Sequence, residues 1–162
     1  MMDIRIGIGE DIHRFTSRKQ LVLAGAKIPF EKGLLAHSDG DVVYHAVSDA
    51  LLGSLALGDI GHYFKTDDPK WENADSSNIV LEVMKMIKEK GYSVNNLDVL
   101  ILAEKPKLAP YLVTMRENLA RLLEIEVPRV GIQAGTEEGL GEIGRGEAIR
   151  AKAALLIYKK GS

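Results

Sequence analysis

Period-two apolar segments near both ends of the chain, three segments of helical period between them, and no linker predict a single α+β domain. The expected form is a ferredoxin-like sandwich, a mixed sheet with helices packed on one face. The 162 residues suffice to bury roughly two thirds of the surface that an unfolded chain exposes. Ile4, Ile6 and Ile8 alternate with Arg5, Gly7 and Gly9, the period of a strand. Continued, that period puts Asp11 and His13 on one face. Gln20 to Ala24 is a second short strand, followed by a polar bend and Ile28-Pro29-Phe30. Ser38-Asp39-Gly40-Asp41 resembles a capping box ahead of an apolar run, so the first helix is expected over about 41–57. Residues 58–78 are polar and irregular, and a loop of that length in a compact domain is usually functional or mobile. Asp75 or Ser76 caps a second helix, with Ile79/Val80, Val83/Met84 and Ile87 at helical spacing and Gly91 as its stop. Leu97, Val99 and Ile101 begin a strand that ends before Lys105-Pro106-Lys107. A third helix runs from about Pro110, with Leu112, Met115, Leu119 and Leu122 on one face. Arg129 to Thr136 reads as a strand, Glu137 to Glu147 as a glycine-rich loop, and Ile149 to Tyr158 as a closing strand.

Composition narrows the function classes. A net charge of −2 and a pI near 6.1 supply no basic field for nucleic acid or a membrane surface. There is no apolar run of about 18 residues, and the N-terminus lacks a basic segment followed by an apolar one. A cytoplasmic protein with neither nucleic-acid nor membrane partners is therefore expected. Without Cys there is no disulfide, thiolate ligand or Cys nucleophile. A metal must be held by His and carboxylate, and a nucleophile must be Ser, Thr, water or the substrate itself.

All four His and seven of the ten Asp lie between residues 11 and 68. Asp11-x-His13 offers two ligand types on one strand face. Asp41, His45 and Asp49 are successive i,i+4 neighbours on an otherwise apolar helix. Asp11, His13 and His45 together would make a three-ligand site with an open fourth position, the arrangement of catalytic zinc. Asp41 or Asp49 would orient the free ring nitrogen of His45. The alternative is a surface pair at a strand end beside a hydrogen-bonded core histidine. Gly139 to Gly144 satisfies G-x-G-x-x-G, but a strand follows it, so it is not a dinucleotide motif. The same loop, with Thr136, Glu138 and Arg145, either binds phosphate through freed amides or is a hairpin connection with surface charges. Lys105-Pro106-Lys107 either lines a pocket with backbone groups or stops a strand.

Gly9-Glu-Asp11-Ile-His13, Ala36-His-Ser-Asp-Gly-Asp-Val42, His45-Ala-x-x-Asp49-Ala-Leu-Leu52, Gly58-Asp-Ile-Gly61, Ala74-Asp-Ser76, Lys105-Pro-Lys107, Thr136-x-Glu138 and Gly144-Arg-Gly-Glu147 resemble the 2-C-methyl-D-erythritol 2,4-cyclodiphosphate synthases of the non-mevalonate isoprenoid pathway. The match runs in order over nearly the whole chain. It implies one catalytic domain over 1–162 without the cytidylyltransferase to which some relatives are fused, and a homotrimer with active sites between subunits. It also implies one zinc per subunit on Asp11, His13 and His45, and a second divalent ion, Mg or Mn, on the substrate diphosphate and Glu138. His37 and Thr136 would stabilise the transition state, and Ser38 would contact the substrate's 2-phosphate. Asp49, Asp59, Ile60 and Gly61 would bind the substrate, the last three at sugar hydroxyls. Phe64 to Asp68, with Asp67 and Asp68 as its acids, would form a mobile flap.

Ala103, Lys105, Pro106, Lys107, Leu108 and Ala109 would form a cytosine pocket on the neighbouring subunit, largely by backbone. Ala134, Gly135 and Arg145 would complete the substrate contacts, Arg145 lying near the trimer axis. The implied reaction turns 4-diphosphocytidyl-2-C-methyl-D-erythritol 2-phosphate into the cyclic diphosphate and CMP. A nucleophile within the substrate suits a chain without Cys. The competing readings are a non-catalytic trimeric metal- or nucleotide-binding homologue and a zinc phosphohydrolase. Three departures stand out. The flap, F-P-D-T-D-P in the family, here reads Phe64-Lys65-Thr66-Asp67-Asp68-Pro69, and Gly135 and Glu137 flank Thr136 where hydroxyl residues are usual. Glu10 and Glu142 replace aromatics that line a central trimer cavity in relatives, which would disfavour an isoprenoid phosphate there.

Overall fold

The computed structural model describes residues 1–159 and 161. Its main sheet is built from β1 (Asp3–Thr16), β4 (Gly33–Leu34), β5 (Ser93–Leu102), β6 (Val130–Gly135) and β7 (Ala148–Lys159). The strand order is β4-β1-β7-β5-β6. Neighbours are antiparallel except β5 and β6, which are parallel. A two-stranded hairpin, β2 (Leu21–Leu23) and β3 (Ala26–Ile28), stands apart. The helices are α1 (Val42–Ser54), α2 (Ile60–Tyr63), α3 (Ser77–Glu89), α4 (Leu112–Leu123) and α5 (Gly141–Gly144). The mixed sheet and α+β class are as expected. The ferredoxin-like order is not reproduced. The path through the long strands and helices is β-α-α-β-α-β-β, in which α4 carries the chain from β5 to its parallel neighbour β6, a connection no hairpin can make.

The helix α1 is apolar on nearly every side: Val42, Val43, Tyr44, Ala46, Val47, Ala50, Leu51 and Leu52 are all buried. It packs on β1 and β7 on one side and meets α3 and β2 on others. Glycine permits its close approach to β1. A Cβ at Gly7 would stand 1.8 Å from the Ala50 carbonyl oxygen, and one at Gly9 would stand 2.0 Å from that of Ala46. The early glycines therefore serve helix packing, and they bring His45 down onto the strand face that carries Asp11 and His13. The isoleucines of β1 face the other way: Ile4, Ile6 and Ile8 are 59%, 67% and 75% exposed. On that same outer face Arg150 bridges Glu10 at 3.2 Å and Glu142 at 2.8 Å.

Several boundaries differ from expectation for identifiable reasons. The cap of α1 is Asp41, whose carboxylate accepts from Tyr44 N–H, and not Ser38. The helix stops at Ser54 rather than near Leu57, where Ala56 turns left-handed (φ 55°). The long loop holds α2 and a 3-10 turn over Pro69–Trp71, and the glycine-rich loop holds α5. The strand β5 starts at Ser93, four residues before Leu97, through a bulge between Val94 and Asn96.

Candidate active site

Three side chains meet at the α1–β1 contact. Asp11 Oδ2 lies 2.9 Å from His13 Nε2 and 3.1 Å from His45 Nδ1, and the two ring nitrogens are 3.0 Å apart. Among the described residues this is the one group of three or more His, Asp or Glu side chains spaced to hold a metal ion. Partial burial would raise the Asp11 carboxyl, but the hydrogen bonds and charges of His13 and His45 outweigh it and hold the group well below the usual carboxylate range. The donor set fits a small tetrahedral cation. Bonds of about 2.0–2.1 Å to such an ion space its ligands about 3.3 Å apart, close to the triangle seen here. The strand-and-helix origin of the three donors explains their fixed spacing: the period of β1 aligns Asp11 with His13, and the glycines let α1 close on them.

Neither Asp41 nor Asp49 orients His45. Asp41 is fully buried and accepts from Ala24 and Gly25 N–H at 2.9 and 2.8 Å, holding the left-handed β2–β3 turn. Asp49 accepts from Ile60 N–H at 2.8 Å and so anchors the start of α2. The far nitrogen of His45, Nε2, meets two hydroxyls instead, Ser38 Oγ at 3.2 Å and Ser76 Oγ at 3.0 Å.

The triad opens into a cavity of about 290 Å³, also lined by His37, Ser38, Ile60, Gly61 and Phe64. Lys65, Thr66 and Trp71 close one side, with Phe64 edge-on to Trp71 at 4.9 Å. Asp59, Asp67 and Asp68 do not line it. Asp68 accepts from Lys70 N–H at 3.0 Å and so caps the Pro69–Trp71 turn, while its carbonyl sits 3.4 Å from His37 Nε2. Behind His37, the Lys19 ammonium donates to the carbonyls of Ala36 and Ser38.

A second cavity, about 270 Å³, lies between the ends of β5 and β6. Ala103, Pro106, Lys107, Leu108, Ala109, Ala134, Gly135 and Thr136 line it, together with Glu104. Lys105, Glu138 and Arg145 lie outside its lining. Glu138 is left-handed (φ 54°), the Glu104 carboxylate accepts from Gly139 N–H at 2.7 Å, and Arg145 pairs with Glu147. Asp11, Ala151, Ile101 and Ala134 form one row across the sheet. Three strand spacings, about 14 Å, therefore separate the two regions within one chain.

The YgbB family model matches residues 4–158. The chain belongs to the YgbB family. Its relatives include the 2-C-methyl-D-erythritol 2,4-cyclodiphosphate synthase of Nostoc punctiforme, 50% identical over 99% of this chain and 100% of that protein. That of Clostridium perfringens is 46% identical over 96% of this chain and 100% of its own length. Among solved structures, the bifunctional IspDF of Campylobacter jejuni superposes with a TM-score of 0.94 at 36% identity, covering 99% of this chain and 43% of that one. The CDP complex of IspF from Plasmodium falciparum gives 0.86 at 34% identity, covering 98% and 97%. In this YgbB chain, Lys19 and Glu104 join the site without having been singled out by sequence, and Asp39 and Ser76 stood within the motifs that carry the resemblance, with no role at the site given to them. Ser76, just ahead of a helix, also reads as an N-cap, yet its side chain makes no capping bond.

Proposed function

We propose that this chain converts 4-diphosphocytidyl-2-C-methyl-D-erythritol 2-phosphate into 2-C-methyl-D-erythritol 2,4-cyclodiphosphate and CMP, as its relatives' names imply. The carrying observation is the triangle of Asp11, His13 and His45 opening into a cavity beside His37 and Ser38. An oxygen of the 2-phosphate bonds to the β-phosphorus, and the bond from that phosphorus to the bridging oxygen breaks. CMP leaves with the bridging oxygen and its electron pair. A divalent cation on the triad, zinc in this proposal, supplies Lewis acidity toward the attacked phosphate. Ser38 fixes the 2-phosphate, and His37 and Thr136 donate toward the phosphate oxygens as charge builds on them. Glu138 would hold a second divalent ion, Mg or Mn, which would offset the charge of the diphosphate. Asp59, Ile60 and Gly61 take the sugar, Asp49 also binds the substrate, Phe64 to Asp68 close over it, and Arg145 adds positive charge.

Backbone groups from Ala103 to Ala109, with Ala134 and Gly135, hold the cytosine. A homotrimer brings one subunit's cytosine pocket to its neighbour's metal triad. The exposed isoleucine face of β1 supports this assembly, since an apolar face that large marks an interface. The chain acts as a single catalytic domain in the cytoplasm, and no helix among the described residues is long and apolar enough to cross a membrane. Phosphorus NMR of the products tests the reaction. Cyclic diphosphate plus CMP is expected, whereas linear phosphates would mark a hydrolase and no change a binding protein.

A further inference from the structure

Ser76 is fully buried at the start of α3 and its hydroxyl is not used on that helix. It lies among three partners, one of them Ser38 Oγ, which is 3.2 Å from Ser76 Oγ and 3.2 Å from His45 Nε2. On one side Asp39 Oδ1 accepts from Ser76 Oγ at 2.6 Å, and Asp39 Oδ2 accepts from Ser76 N–H at 3.1 Å. Asp39 Oδ1 also accepts from Asp41 N–H at 3.0 Å. All three groups around this carboxylate are donors. On the other side His45 Nε2 lies 3.0 Å from Ser76 Oγ.

A serine hydroxyl has one proton to give. Here it goes to the charged carboxylate, the stronger acceptor. Ser76 Oγ can then only accept from its other two neighbours, His45 Nε2 and the Ser38 hydroxyl, which puts the imidazole proton on Nε2 and leaves Nδ1 bare toward Asp11 and His13. We infer that Ser76 and Asp39 form a relay that fixes the tautomer and direction of His45, and that both are positioning residues for the cation site. The surrounding backbone holds the relay in place. Asn73 N–H donates to the His37 carbonyl at 2.8 Å and Asp39 N–H to the Ala74 carbonyl at 3.0 Å, joining the two loops that carry it.

This inference rests on reading Asp11, His13 and His45 as a cation site, and its test separates the two. Zinc affinity is measured by chelator competition on wild type, Ser76→Ala and Ser48→Ala. Ser48 is an equally buried serine of α1 whose hydroxyl has no partner, so its loss removes the same atom without touching the relay. Ser76→Ala is expected to weaken zinc about 10–100-fold, as loss of a ligand's orienting partner does, and Ser48→Ala to leave it within about threefold. Nitrogen-15 NMR of metal-free wild type gives the tautomer directly, so the test stands even where Ser76→Ala fails to fold. Equal zinc affinity in wild type and Ser76→Ala, or His45 protonated on Nδ1 in metal-free wild type, overturns the relay. A wild-type chain with the Nε2–H tautomer that binds no zinc overturns the cation site and leaves the relay standing.

Discussion

The two cavities are built from different materials. The triad pocket is made of side chains: Asp11, His13 and His45 from a strand and a buried helix, backed by Ser38, Ser76 and Asp39. The pocket between β5 and β6 is lined mostly by small or apolar residues at strand ends, with left-handed Glu138 and Gly139 just beyond. A cation needs charged donors at set distances, and only interlocked side chains on rigid elements supply them. A base can be read by peptide groups, so its pocket depends on the path of the chain more than on residue type. The three donors of the first region come from one chain, and the second region lies about 14 Å away across the sheet, which is why the proposed homotrimer pairs it with a neighbour's triad.

That separation is open to attack at the outer face of β1. Ile8→Asp sets a charge into the proposed interface, where burial is costly. The assembly should fall to monomers in sedimentation, and turnover should drop at least about a hundredfold, while zinc content stays at the wild-type level. A monomer that retains full turnover would show that one chain suffices. Glu138→Ala tests the other side. Turnover should fall about a hundredfold with a raised Mg or Mn requirement and zinc unchanged, and zinc loss in this variant would mean that the two regions are coupled. Gly9→Ala attacks the scaffold of the first region alone. A Cβ 2.0 Å from the Ala46 carbonyl oxygen forces α1 off β1, at a cost of about 1–3 kcal/mol in denaturant melts, with weakened zinc and unchanged CMP affinity.

The smallest effect concerns Asp41. Burial pushes its carboxyl up to about 7, aided by the nearby Asp39 charge and opposed by the N–H groups of Gly25, Tyr44 and Ala24. A carboxyl raised from about 4 in the unfolded chain holds its proton more tightly when folded. Its contribution to stability is thus complete below about pH 4 and lost as pH rises through about 7. The carbon-13 shift of that carboxyl should titrate near 7, and a midpoint below 4 would mean that the three N–H donors prevail.

The same contrast governs what the sequence made legible. The triad was readable because Asp11 and His13 share a strand period and His45 stands on an apolar helix, where a bare imidazole needs a partner. The pocket between β5 and β6 has no such signature in residue type: Lys105-Pro106-Lys107 read equally as a backbone-lined pocket or a strand stop, and only the resemblance tied it to cytosine. Long periodic elements such as β1, α3 and β7 were legible. The strand β4, two residues held by Phe15 and Thr16, and the short helices α2 and α5 are set by tertiary contacts that periodicity does not carry. The early stop of α1 was hidden because its left-handed residue is Ala56 rather than glycine. Of the two caps expected for the second helix, Asp75 and Ser76, it is the Asp75 carboxylate that accepts from Ser77 N–H at 2.8 Å, which leaves the Ser76 hydroxyl free for other partners.

The most direct test of the central claim is metal analysis of the purified wild-type chain beside His45→Ala after equal exposure to zinc. About one zinc per chain in wild type and almost none in the variant is the expected result, because two remaining donors bind weakly where three bind well. Equal zinc in the two proteins would contradict a site in which Asp11, His13 and His45 share one cation.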